Sequence, residues 1–171
     1  MSCMQVEVFA DLICPRCYIA LHHLGEALSR FEHGADVDVV WRGFQLDLVS
    51  GRTFGEVLIE RVITGHGLHR LEAEDVVADV LARFGEAAAR HNLSYNPEIA
   101  APADTFDAHR MVHLAATRGL HQLAVKQIQH GYFAHGMPID DPACPTVVRP
   151  VRSGISPVMK LARPAVQLAS A

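Results

Sequence analysis

No apolar run in this sequence approaches the roughly 18 residues that a membrane-spanning helix needs, so no membrane partner is expected. There is no basic excess either. Lys and Arg number 15 against 19 Asp and Glu, a net charge of −4, which argues against a nucleic-acid partner. The opening residues Met1-Ser2-Cys3-Met4-Gln5 have neither a basic segment nor a long apolar stretch. No signal peptide is expected from them, and the cytoplasm is the expected compartment. Internal repeats are absent. Cysteine is scarce, at 4 in 171 residues. Cys3 and Cys144 stand alone in the sequence and read as ordinary free thiols.

What is present is a large apolar fraction. Half of the residues are hydrophobic, enough for a sizeable core in one domain, or in one domain with a subdomain. The other two cysteines form a C-x-x-C pair, Cys14-Pro15-Arg16-Cys17. It lies directly after the apolar run Val6-Glu7-Val8-Phe9-Ala10, which reads as a strand, and opens a helical pattern that continues to Phe31. In a reducing compartment structural disulfides are uncommon, so such a pair points to redox chemistry or metal binding.

The placement suits thiol–disulfide exchange, whose nucleophile is the thiolate. A free thiol ionises near pH 8.5, leaving little thiolate at neutral pH. At a helix N-terminus, unpaired N–H groups and the helix dipole favour the charged form. Cys14 is expected there as the nucleophile. Pro15 fits the first helical position, where its missing N–H costs nothing, and Arg16 adds a nearby positive charge. Cys17, one turn into the helix, is expected to be the more buried, resolving thiol. A zinc site would need two further ligands. There is no second C-x-x-C, Cys144 lies far away, and His22 and His23 follow Cys17 too closely on one helix. No metal and no cofactor are expected, although a zinc site and a pair of unreactive core cysteines stay open as readings of the motif alone.

The remaining pattern gives a β-α-β start and a helical middle. Ile19, Leu24, Ala27, Leu28 and Phe31 share helical spacing, and His33-Gly34 closes that helix. Val37 to Phe44 reads as a second strand with Trp41 in the core, parallel to the first because a short crossover joins them. Helices are expected over 54–64, 72–91, 104–116 and 122–134, with Asp104 or Thr105 as a cap and Ser94 to Ala103 as a loop broken by Pro97 and Pro102. His109 and His113 are four apart on a helix, but Arg110 stands where a zinc protease has Glu, so the histidines read as surface or half-buried structural residues. His130 to His135 reads as a helix end. The stretch from Ala143 to Ala171 differs in kind. It has four basic residues and no acidic one, against 11 basic and 19 acidic in the rest, and Pro145, Pro150, Pro157 and Pro164 recur through it. No helix of ordinary length fits between them, and the segment 137–171 reads as an irregular, basic tail.

The run Val6-Glu7-Val8-Phe9-Ala10-Asp11-Leu12-Ile13-Cys14-Pro15-Arg16-Cys17-Tyr18-Ile19 resembles the FrnE-like branch of the DsbA family of thiol oxidoreductases. Val40-Trp41-Arg42-Gly43-Phe44-Gln45-Leu46-Asp47 and Thr105-Phe106-Asp107-Ala108-His109-Arg110 are similar to two further signatures of that branch. The resemblance runs from about residue 5 to residue 142. It implies an α/β, thioredoxin-like fold with an inserted helical domain: residues 1–50 carry the β-α-β unit and residues 51–136 form the insertion. Arg16 replaces the branch's usual aromatic residue, and Gly43 its usual proline. Relatives that isomerise 2-hydroxychromene-2-carboxylate, and kappa-class glutathione transferases, have Ser at the position of Cys14, so a glutathione-linked activity is the weaker alternative.

The family pattern continues with a cis-proline loop, a β-hairpin and a final helix. Here the resemblance fades near Asp141-Pro142, and only Ser156-Pro157-Val158 echoes that loop. The expectation is that the C-terminal hairpin and helix are absent or replaced, through a frameshift or truncation near residue 143. Such a chain has an open sheet edge that invites a homo-oligomer, or it is an impaired remnant that acts only as a binding fragment. The leading expectation is a dithiol–disulfide oxidoreductase acting on disulfide-containing proteins or small-molecule thiols.

Overall fold

Strand β1 (Met4–Ala10) feeds helix α1 (Pro15–Arg30) through the buried corner Asp11-Leu12-Ile13. A short 3₁₀ turn over Gly34–Asp36 leads into β2 (Val37–Gly43), and four helices follow: α2 (Phe54–His66), α3 (Arg70–Arg90), α4 (Phe106–Ala116) and α5 (His121–His135). The computed structural model describes residues 4–46 and 53–141. The expectations for Cys3, Cys144, Pro157 and most of the 137–171 tail therefore lie outside the described residues.

The two strands pair in parallel, as a short crossover requires, with Met4 opposite Val37 and Ala10 opposite Gly43. The pleat sorts their side chains by face. Val39 and Trp41 are buried, and Val6 and Val8 opposite them are half-buried. On the other face Gln5, Glu7 and Phe9 are exposed, and Glu7 pairs with Arg42 across the strands. His121 of α5 reaches β2 with Nε2 2.8 Å from the Val39 carbonyl oxygen. This ties the last described helix to the sheet.

The core lies between the buried sheet face, α1, α4 and α5. Its largest fully buried side chains include Leu12, Ile13, Val112, Ile128, Tyr132 and Phe133. Tyr18 stacks on Phe133 with ring centroids 4.8 Å apart, and Tyr132 meets Phe133 edge-on at 4.9 Å. Each aromatic side chain sealed in this way contributes about 1.5–3 kcal/mol. The Tyr132 hydroxyl donates to the Ala101 carbonyl at 2.6 Å, so its polar end is satisfied.

Helix boundaries fall within two residues of those read from periodicity, but faces and caps differ in places. On α1 the buried residues are Pro15, Tyr18 and Ile19, while Ala27 and Phe31, expected in the core, are exposed. Phe31 lies just past the end of α1 as its C-cap, where the helical face no longer directs it inward. On α3 Val77 is buried and its neighbour Val76 is exposed. Thr105 does not cap α4 with its hydroxyl. Asp104 does so instead, its Oδ1 accepting from the Phe106 N–H at 2.9 Å and from Gln45 Nε2 at 2.6 Å. At α2, Thr53 and Glu56 form a reciprocal capping box, and Gly67 ends the helix at φ 66.

Candidate active site

The two paired cysteines occupy the first turn of α1. Cys14 is the N-cap residue, with extended backbone at φ −85 and ψ 114, and Pro15 takes the first helical position. The Cys14 sulfur acts as the cap, because the Cys17 N–H donates to its Sγ at 3.4 Å. A Ser or Asp would fill this role at an ordinary helix start. Here the acceptor is a thiol, so the helix N-terminus acts directly on its ionisation.

The two thiols are driven in opposite directions. Cys14 is lowered from the ordinary thiol range to about 6. The largest cause is the hydrogen bond from the Cys17 side chain, followed among the stabilising contacts by the backbone N–H groups of Cys17 and Arg16, while burial and the negative charge of Asp11 oppose it. Cys17 is pushed up, first because its proton is held in the bond to Cys14, then by burial and the Cys14 charge. Each sulfur thus favours the protonation state that the other needs. Cys17 is not the deeper of the two. Both are half-buried, since residues three apart on a helix share a face. Arg16 is exposed, and what it lends to Cys14 is its backbone N–H.

Beneath the cysteines lies a buried polar network that periodicity could not show. Asp11 is 1% exposed, and its carboxylate accepts from the Leu12 N–H at 2.7 Å and from the Leu46 N–H at 2.6 Å. His109 Nε2 lies 3.3 Å from Asp11 Oδ1, and Trp41 Nε1 lies 3.4 Å from His109 Nδ1. The indole N–H can only donate, so His109 Nδ1 accepts and the ring carries its proton on Nε2, toward Asp11. A Cβ at Gly43 would sit 2.8 Å from His109 Nδ1, so only glycine lets β2 pass the ring. His109 is therefore a buried residue, not the surface or half-buried histidine expected, whereas His113 is exposed.

Asp11, Trp41 and His109 come one each from the three separated stretches that carry the family resemblance. That shared membership was the signal available in the sequence, but their contact was not. Tyr95, from the loop before α4, is a second omission. Burial raises its hydroxyl to about 12, the Cys14 charge adds to that rise, and its ring packs on Phe133 with centroids 5.6 Å apart. An apolar groove lined by Leu21, Leu28, Val39, Trp41 and Val125 lies between α1, β2 and α5 and includes neither cysteine.

Comparison with known proteins agrees with this arrangement. The family model described as a DSBA-like thioredoxin domain matches residues 5–151. A probable DsbA oxidoreductase from Streptomyces coelicolor, solved by crystallography, superposes with a TM-score of 0.61 at 30% sequence identity, over 77% of this chain and 54% of that one. The chain thus spans about half the length of that structure. No curated protein matches it. A strand leading into a thiol-capped helix, a parallel second strand and a helical region fit one family, and the chain belongs to the DSBA-like thioredoxin domain family.

Proposed function

We propose that this protein is a thiol–disulfide oxidoreductase in which Cys14 is the nucleophile and Cys17 the resolving thiol. The observation that carries the proposal is the Cys14 sulfur capping α1, accepting from the Cys17 N–H at 3.4 Å, an arrangement that lowers Cys14 to about 6 and raises Cys17. At neutral pH that makes Cys14 chiefly thiolate and keeps Cys17 protonated until its own step. Pro15 and Arg16 tune the pair: proline presets the helix start, and Arg16 supplies an N–H.

The Cys14 thiolate attacks one sulfur of a substrate disulfide. The S–Cys14 bond forms, the substrate S–S bond breaks, and the departing sulfur leaves with the electron pair and takes up a proton. Cys17 then loses its proton and attacks Cys14 Sγ. The second substrate sulfur is released as a thiol, and a Cys14–Cys17 disulfide remains. Two electrons have passed from the dithiol to the substrate, and the reverse sequence oxidises a dithiol substrate. The cysteines carry the whole exchange, so the step uses no metal or nucleotide.

The FrnE-like branch is part of the same proposal, supported by the three stretches that meet at Asp11, Trp41 and His109. So is the division into a β-α-β unit over 1–50 and a helical insertion over 51–136, which limited proteolysis between β2 and α2 would test. Disulfide-containing proteins or small-molecule thiols are the proposed substrates and the cytoplasm the proposed compartment. Trapping the redox state of Cys14 in intact cells checks the latter. Insulin reduction, compared between the wild type and Cys14→Ser, tests the activity. Turnover in the wild type and none in the variant is expected, and equal rates would refute the assignment.

A further inference from the structure

We propose that His22, Glu26 and His91 bind one divalent first-row transition ion, with zinc the best match. His22 and Glu26 are one turn apart on α1 and so share a face. His91 is the residue that ends α3. Packing of α3 against α1 brings its ring to that face. One donor atom from each of the three lies within 4.8 Å of the other two. His22 Nε2 is 3.5 Å from Glu26 Oε1, and His91 Nδ1 is 3.3 Å from Glu26 Oε2.

Those distances run to the two different oxygens of Glu26, whose carboxylate lies between the two rings. Zinc bonds of about 2.0–2.2 Å in a tetrahedron set neighbouring donors about 3.3–3.6 Å apart. One donor atom from each residue already lies within 4.8 Å of the others, and turning a single Glu26 oxygen between the two rings brings the three to that spacing. Two imidazoles and a carboxylate form a donor set for borderline divalent ions, and three protein ligands leave a fourth position for water. All three residues are half-buried, so the site is sheltered yet open to an entering ion.

His23 supplies a further feature of a built site. Its Nε2 lies 2.6 Å from His91 Nε2, so His91 offers Nδ1 toward Glu26 while its other ring nitrogen is held in place. Metal-bound histidines are ordinarily oriented in this way by a partner on the second nitrogen. His23 and His91 are 68 positions apart in sequence. An ion here fastens the cysteine-bearing helix to the end of α3, stabilising the folded chain because the unfolded chain lacks the site.

The test is zinc titration of the full chain carrying Cys3→Ser, Cys14→Ser, Cys17→Ser and Cys144→Ser, which removes the competing thiols. Calorimetry and thermal melting should show one ion per chain and a raised Tm. His91→Ala and Glu26→Gln, added singly, should each weaken binding about 10-fold or more, with the metal-free circular dichroism spectrum unchanged. Cobalt(II) added to the chain with its cysteines intact gives a second readout: a visible spectrum without a sulfur-to-cobalt charge-transfer band. No binding, unchanged affinity in His91→Ala, or binding that disappears with the cysteines would each overturn the proposal.

Discussion

At the scale of single residues, Cys14 and Cys17 divide the work of one exchange reaction because each sets the other's proton affinity. The Cys17 side chain is the largest cause of the lowered Cys14 value, and the exposed Arg16 contributes through its backbone N–H. Cys17→Ala should therefore raise the Cys14 pKa more than Arg16→Ala does, as read from ultraviolet thiolate absorbance against pH. A larger shift in Arg16→Ala would show that the guanidinium dominates. The same lowering makes the stability of the reduced protein depend on pH. Cys14 releases its proton near 6 when folded and near its ordinary 9.0 when unfolded, so the folded chain binds fewer protons between those values. The stabilisation is fully present above the unfolded value, declines as pH falls through the window from about 9 to about 6, and is lost below the folded value. Denaturant unfolding of the reduced protein should show this slope, and Cys14→Ser should remove it.

At the scale of elements, the site depends on how closely β1, β2 and α4 approach one another. Gly43→Ala places a methyl group 2.8 Å from the His109 ring, on a strand that cannot move without disturbing its parallel register. We expect a loss of about 1–3 kcal/mol, the ordinary cost of overpacking, measured by urea unfolding. A neutral result would mean that the ring yields freely. Thr53→Ala breaks the capping box of α2 and should cost about 1 kcal/mol; because α2 lies outside the polar network, the Cys14 pKa should not change. The elements themselves were legible in the sequence. Val6 to Ala10 alternates as a strand does, Pro15 after Cys14 marks a helix start, and Pro97 and Pro102 break the chain before α4. Caps were harder, since Asp104 and Thr105 both qualify by type and only the backbone geometry selects Asp104. The Asp11–His109 contact joins residues 98 positions apart, a separation at which local periodicity carries no information.

For the molecule as a whole, the described residues form a two-stranded sheet with one face packed on helices and the other open. Phe9 is 68% exposed on that open face, and Phe44 just beyond β2 is 55% exposed. Exposed aromatics beside an uncovered strand edge favour association. We therefore expect a concentration-dependent dimer in sedimentation experiments, weakened by Phe9→Lys. A monomer at every concentration would contradict that pairing. The family and its β-α-β unit could be read from the sequence because the Cys14–Cys17 motif, its strand and its helix are contiguous. The polar network and the His22–Glu26–His91 cluster could not, because they exist only once α3 and α4 pack. The function rests on Cys14 being the ionised sulfur. Alkylation by iodoacetamide across pH, with the modified residue located by mass spectrometry, measures this directly. Cys14 should react first, with its rate rising through a midpoint near 6 while Cys17 stays unmodified. A midpoint in the ordinary thiol range, or first modification at Cys17, would contradict the assignment.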